Sequence, residues 1–299
     1  MNKIGFVGIG KMGMPIACNL LKEGYAVTVC DPHREALQFF TKKGGRYDAS
    51  LGRLTAHCDI IFLCLPGSRE TEEVMHGPEG ILAQPPAGKL VIDLGDGDPY
   101  RTERIAQAAE AKGVSYLDAS VDGGIGEATA GTLTIMVGGS YAAYEKIEEV
   151  LNKIARKIFY MGTSGTGHKA RLVHTIIFWA HLAVLCEAMV LGVKAGLEPE
   201  QILTVINAGA AESQISSRCG SLIIKNNGNV EDTVMIDDQY MEHIMAMETQ
   251  TRTTLPLVGL VSQLMVAAKN RGLSAGDISA ILKLYAEFAR INMSDARRD

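Results

Sequence analysis

The chain lacks the charge, cysteine and targeting patterns that mark several classes of protein. Its 29 lysines and arginines stand against 34 aspartates and glutamates, a net charge of -5. Nucleic-acid binding needs a basic face, so no such partner is expected. The six cysteines, Cys18, Cys30, Cys58, Cys64, Cys186 and Cys219, include no C-x-x-C pair. No cluster has metal-ligand spacing, and no metal is expected. Unpaired thiols fit a reducing, cytoplasmic setting, with Cys30 and Cys64 read as buried in apolar strands. The opening "MNKIGFVGIG" is too short and too glycine-rich to read as a signal peptide. The long run "LVHTIIFWAHLAVLCEAMVLGVKAG" is interrupted by His174, His181 and Glu187, so it reads as a core helix rather than a membrane span. Repeats and low-complexity segments are absent.

What is present suffices for a large core: 47% of the 299 residues are hydrophobic, and the length suggests two domains. In the first half, short apolar runs alternate with amphipathic stretches. "KIGFVGIG", "AVTVCD", "CDIIFLCLP", "KLVIDLG" and "VSYLDAS" read as strands, and "GTLTIMVGG" and "KIFYMG" as one or two more. Continuous apolar strands separated by helices indicate a mainly parallel sheet covered on both faces. Beyond Gly162 only helical spacing remains. The predicted fold is an α/β Rossmann-type doubly wound sheet over 1–162, followed by an all-α domain over 163–299. A long helix over about 165–195 joins them.

"GFVGIGKMG" holds Gly8, Gly10 and Gly13 as G-x-G-x-x-G, after a strand and before a helix. Gly8 makes the tight turn, Gly10 admits a pyrophosphate, and Gly13 lets the helix pack on the strand. The helix N-terminus offers free N–H groups to phosphate. The second strand ends at Asp31, at the distance of an acid that accepts ribose hydroxyls. A carboxylate there repels a 2′-phosphate and favours NAD over NADP, while His33 and Arg34 leave NADP open. Lys11 and Met12 lie among the glycines, and Pro32 and His33 follow the acid. Leu65 and Pro66 end a later strand at the same sheet edge, and Asp96 follows another. Together these form the expected cofactor site. Asp98, just before Pro99, reads as a helix cap.

With these loops in place, the chain resembles the β-hydroxyacid dehydrogenase family, the 3-hydroxyisobutyrate dehydrogenase-like enzymes. "IGFVGIGKMGMPIACNLLKEG" is similar to its opening signature and "LDASVDGGIGEATAGTLTIMVGG" to its substrate segment. "GTSGTGHKARLVHT" looks like its catalytic helix start, and "VMIDDQYMEHIMAM" like its late cofactor-and-substrate segment. The resemblance spans nearly the whole chain. It implies NAD(P)-dependent hydride transfer to or from a small 3-hydroxyacid or semialdehyde in an interdomain cleft. It also implies a homodimer or homotetramer. It puts Asp122, Gly123, Gly124 and Tyr240 at the substrate, Met241 at the cofactor, and Arg171, His174 and Thr175 at the chemistry.

The working positions depart from the family pattern. Asp122 stands where a serine is usual, Arg171 where a lysine is usual, and Thr175 where an asparagine is usual. Met241 and Glu242 replace a lysine–aspartate pair, and Gly95 and Asp96 replace a serine–threonine pair. Arginine stays protonated, so Arg171 can stabilise negative charge but is a poor acid. His174, Tyr240 or water would then supply the proton. Asp122 repels a carboxylate unless Arg171 neutralises it. Three readings stay open: hydroxyacid or semialdehyde chemistry, imine reductase-like C=N reduction, and dinucleotide binding without turnover. Lys169, about 200° around the helix from Arg171, should face away as a solvated side chain. His181 reads as a core histidine, Trp179 as packing, and Glu187 as buried with a partner. Asp237 and Asp238 read as a helix start. Met235, Met241, Met245 and Met247 read as packing or as an adaptable pocket wall.

Overall fold

The computed structural model describes residues 3–83, 88–225, 238–273 and 279–291. The chain forms two compact units, Met1–Leu172 and Val173–Asp299. The first runs β1 (Lys3–Val7), α1 (Gly13–Lys22), β2 (Ala26–Cys30), α2 (Arg34–Lys42), β3 (Arg46–Tyr47), α3 (Leu51–His57) and β4 (Ile60–Leu63). It continues through α4 (Ser68–His76), β5 (Leu90–Asp93), α5 (Pro99–Glu110), β6 (Ser115–Asp122), α6 (Ile125–Ala130), β7 (Leu133–Gly139), α7 (Tyr141–Leu151) and β8 (Ala155–Gly162). One eight-stranded sheet has the order β3-β2-β1-β4-β5-β6-β7-β8. Neighbours are parallel except β6 and β7, so the last two strands run against the other six. Every expected strand is present. The two-residue edge strand β3 was not expected, because both its residues are exposed and carry no apolar signal.

Successive strand residues are apolar because both faces of the sheet are covered. Ile4, Phe6, Ile60, Phe62, Leu90 and Ile92 point into one core, with Ile16, Leu37 and Ile147 from α1, α2 and α7. Val7, Ile61, Leu63 and Val91 point into the other, with Leu54, Met75 and Ile105 from α3, α4 and α5. Phe6 stacks on Phe62 at 5.8 Å, and burying each such ring contributes roughly 1.5–3 kcal/mol. Cys30 and Cys64 are partly exposed as residues because both sit at strand ends, but the Cys64 thiol itself is buried, as expected. All six cysteines are free.

Strand β6 breaks the apolar rule on one face. Tyr116 joins the second core, but Asp118 and Ser120 on the same side are polar and fully buried. Asp118 meets the start of α8 (Thr166–Lys194). Asp118 accepts the N–H groups of Gly165 at 2.7 Å and of His168 at 3.0 Å. A helix leaves its first N–H groups unsatisfied, and this carboxylate answers two of them. The approach is close: a Cβ on Gly167 would lie 2.5 Å from the carbonyl oxygens of both Asp118 and Met136. The opening turns of α8 therefore pack with the sheet, and the compact units divide within the helix, after Leu172.

The second unit holds the rest of α8 with α9 (Pro199–Ala208), α10 (Gln214–Lys225), α11 (Asp238–Thr251), α12 (Pro256–Asn270) and α13 (Ser279–Ala289). Helix α9 packs on α10, where Gly220 lets Leu203 approach, and α12 packs on α13. Beyond Thr175, helix α8 is apolar over most of its circumference. Its exposed residues Val173, Ile177, Val184 and Leu191 fall within an arc of about 40°. His181 and Glu187 flank that arc and are exposed, not buried as the sequence suggested. A helix so apolar gives no signal of which face is covered. Trp179 is buried, as expected of a packing residue. On α11, Tyr240 and Met241 are buried, Met247 is partly so, and Met245 is exposed. Asp238 opens that helix, while Met235 and Asp237 lie outside the described residues.

Replacing Gly167 with alanine should destabilise the fold by about 2 kcal/mol, because both opposing atoms are main chain and cannot yield. A thermal unfolding midpoint equal to the parent's would contradict this account of the helix start.

Candidate active site

The sheet register brings the expected loops to one edge. Val7 lies beside Cys30 and Leu63, and Leu63 beside Asp93, so β1, β2, β4 and β5 end together. In open parallel sheets ligands bind outside such carboxyl ends. Gly8 takes φ +87°, which favours glycine, and a Cβ there would strike the Cys64 carbonyl. A Cβ on Gly13 would strike the Gly8 carbonyl, so the helix can approach the strand only without a side chain. Around Gly10 no atom lies within 4 Å of where a Cβ would stand. No side chain caps α1, so its first amides are not bound by a capping side chain. That open cradle fits a pyrophosphate.

Asp31 sits beside the cradle. Its Oδ2 accepts the Ile9 N–H at 2.8 Å, and its Oδ1 accepts the His33 N–H at 2.8 Å. The carboxylate is thus oriented by the glycine loop itself. The His33 ring lies 2.9 Å from Oδ1 and is 82% exposed. Lys11, Pro32 and Pro66 are exposed around the same edge, while Met12 and Leu65 are partly covered. Behind the loop, burial pushes the Cys64 thiol up to about 12, leaving it a thiol rather than a thiolate.

A second cluster forms where β5 and β6 meet α8. The Arg171 side chain is 13% exposed. Its Nη1 donates to Asp122 Oδ1 at 2.8 Å and its Nε to Asp96 Oδ1 at 3.3 Å. The two aspartates are each about one-third exposed, at 34% and 35%. Gly123, at φ +133°, lies beside Asp122, and Gly124 donates its N–H to Glu127 at 2.9 Å. Lys169 is held away from this cluster, paired with Glu103 at 2.6 Å and lying over the Tyr100 ring. Asp98 caps α5 by accepting the Tyr100 N–H at 2.9 Å, as expected.

His174 is exposed on α8, and Thr175, one turn beyond Arg171, is buried. These two residues, with Tyr240 and Met241, belong to the second unit. Sequence reasoning missed the support beneath the cluster: Asp93, Tyr116, Asp118, Ser120 and His168, all buried. Its trace was the polar alternation of Asp118 and Ser120 between the apolar Leu117, Ala119 and Val121. A separate cavity of about 610 Å³, lined by Glu103, Gln107, Glu110, Ser115, Ser140 and Thr163, opens at the amino end of β6 and contains none of the expected site residues.

Residues 3–162 match the profile of the NAD binding domain of 6-phosphogluconate dehydrogenase. Residues 165–285 match that of the NAD-binding domain of NADP-dependent 3-hydroxyisobutyrate dehydrogenase. A 2-(hydroxymethyl)glutarate dehydrogenase of Eubacterium barkeri is 35% identical, over 98% of this chain and 97% of its own. The mitochondrial 3-hydroxyisobutyrate dehydrogenase of Mus musculus is 30% identical, over 95% of this chain and 87% of its own. A 3-hydroxyisobutyrate dehydrogenase structure from Salmonella typhimurium superposes with a TM-score of 0.84. It is 24% identical and covers 95% of this chain and 100% of its own.

The oriented carboxylate at Asp31 generates a test. Asparagine there keeps an acceptor for the Ile9 N–H but removes the charge. Fluorescence titration of Asp31→Asn should lower the preference for NADH over NADPH by about tenfold, the equivalent of 1.4 kcal/mol. An unchanged ratio would show that this residue does not read the ribose.

Proposed function

The chain belongs to the 3-hydroxyisobutyrate dehydrogenase-like family of NAD(P)-dependent oxidoreductases, and on that premise we propose that it interconverts a small 3-hydroxyacid and its semialdehyde, preferring NAD. The relatives described above are named for acids that carry a hydroxyl group, which supports this substrate class. One observation carries the reading: a nearly covered guanidinium, fixed by two carboxylates, at the end of the strand that carries Asp122.

A bound nicotinamide dinucleotide supplies or accepts the hydride. The residues of this chain supply the rest. Gly8, Gly10, Lys11, Met12 and Gly13, with the N-terminus of α1, hold the pyrophosphate, and Asp31 holds the adenosine ribose. Arg171 stabilises the negative charge that develops on the substrate oxygen. Asp96 and Asp122 fix the direction of its fork, so little reorganisation is needed during the reaction. Arginine does not surrender its proton, so water or His174 delivers it to that oxygen. Gly123 and Gly124 line the substrate site beside Asp122.

We further propose that the protein works in the cytoplasm as a homo-oligomer, a dimer or a tetramer. The uncovered apolar arc of α8 is the contact surface. In solution-mass measurements the parent should exceed one chain, and Val184→Asp with Leu191→Asp should reduce it. A monomeric parent at micromolar concentration would contradict the assembly.

Nicotinamide oxidation and reduction with semialdehydes, ketoacids, hydroxyacids and cyclic imines tests the reaction. Turnover should appear with the semialdehyde–hydroxyacid pair. Turnover confined to imines would move the site to C=N reduction, and tight cofactor binding without any turnover would make it a binding protein. Arg171→Gln should lower kcat about 100-fold, as expected for loss of a charge-stabilising donor. Arg171→Lys should retain cofactor affinity but introduce an alkaline limb in the rate profile, because lysine titrates. Parent-like profiles in that variant would count against Arg171.

A further inference from the structure

We propose that His168 is a positioning residue: its ring braces the turn at residues 95–97 and thereby keeps Asp96 on Arg171. This rests on the reading that Arg171 and its aspartates form the reacting site.

The His168 ring is buried in the opening turns of α8. Its Nε2 lies 3.1 Å from the Gly95 carbonyl oxygen. A carbonyl only accepts, so Nε2 carries the hydrogen and donates it. Its Nδ1 lies 2.7 Å from the Thr102 hydroxyl on α5 and accepts its one hydrogen. One ring thus ties α8 both to the turn after β5 and to α5. A Cβ on Gly97 would lie 2.7 Å from the ring's Cε1, so the imidazole also packs against bare backbone.

Gly95 is gripped from the sheet side as well. Its N–H donates to Asp93 Oδ1 at 3.0 Å, and Asp93 Oδ2 accepts the Tyr116 hydroxyl at 2.6 Å. The Ser120 hydroxyl lies 3.0 Å from the Gly95 carbonyl oxygen and 3.3 Å from Asp96 Oδ1. Asp96 stands between two glycines, the residues with the most backbone freedom to lose, so its place must be imposed from outside. His168 and Arg171 are three apart on one helix and share a face. A single turn of α8 therefore carries both the brace and the cation that the braced carboxylate meets. The Gly95 carbonyl accepts from both neighbours, so no proton passes along this chain. His168 acts through geometry alone.

The test compares the parent with His168→Ala, His168→Gln, Asp96→Ala and the double variant His168→Ala with Asp96→Ala. Glutamine can donate to Gly95 and accept from Thr102, so it should recover most of what alanine loses. His168→Ala should lower kcat about tenfold while leaving NADH affinity near the parent's, and with Asp96 already removed it should cost little more. Equal cost in both backgrounds would overturn the proposal, as would glutamine behaving like alanine. If the parent turns over no substrate, the functional reading fails by itself. The same variants then decide the brace by thermal unfolding: non-additive midpoint shifts support it, and additive shifts overturn it.

Discussion

The site depends on one carboxylate removed from water and met by a helix. Asp118 on β6 has no exposed surface, and it accepts two amides from the start of α8. An isolated buried charge is costly, and an uncapped helix start leaves donors unsatisfied. Each group answers the need of the other, and the positive end of the helix dipole adds to the fit. Burial still pushes the Asp118 carboxyl above the usual range, against the opposing pull of His168 and the two amides. Because residues 165 and 168 are fixed in this way, Arg171 one turn later is fixed too.

The charged cluster is built in layers. Tyr116, Asp93 and Ser120 hold the backbone of the 95–97 turn, that turn presents Asp96, and Asp96 with Asp122 aims Arg171. Lys169 is a competing cation close in sequence, but its pairing with Glu103 keeps it on the other side of the helix. The amine is thereby kept away from the cluster while the guanidinium is fixed within it. That division makes the electrostatics of the site depend little on pH through Arg171 itself.

Much of this was legible in local patterns. Apolar runs marked the strands, and the glycine spacing marked the tight loop beside Asp31. Each of those signals lies within a few residues and has one dominant physical cause. The position of Arg171 was legible by resemblance, and its partner Asp122 by charge. The brace was not legible. His168 lies beside Lys169 in a short polar stretch, and nothing local says which of the two turns inward. Tyr116, Asp118 and Ser120 share a strand face, but Asp118 depends on the start of α8, 47 and 50 residues away, and the other two on the end of β5 and the turn after it. His181 and Glu187 were misread for the reverse reason: the stretch around them is so apolar that a covered side could not be told from an uncovered one.

The common edge reached by β1, β2, β4 and β5 separates two kinds of position. Below it lie interlocked side chains and tight glycine contacts, where a change disturbs many neighbours at once. Above it, Asp96 on the turn after β5 and Asp122 at the end of β6 are partly exposed, on backbone secured from beneath. Descendants of such a scaffold could therefore exchange those charges one at a time, acquiring a different chemical appetite while the framework carries over intact.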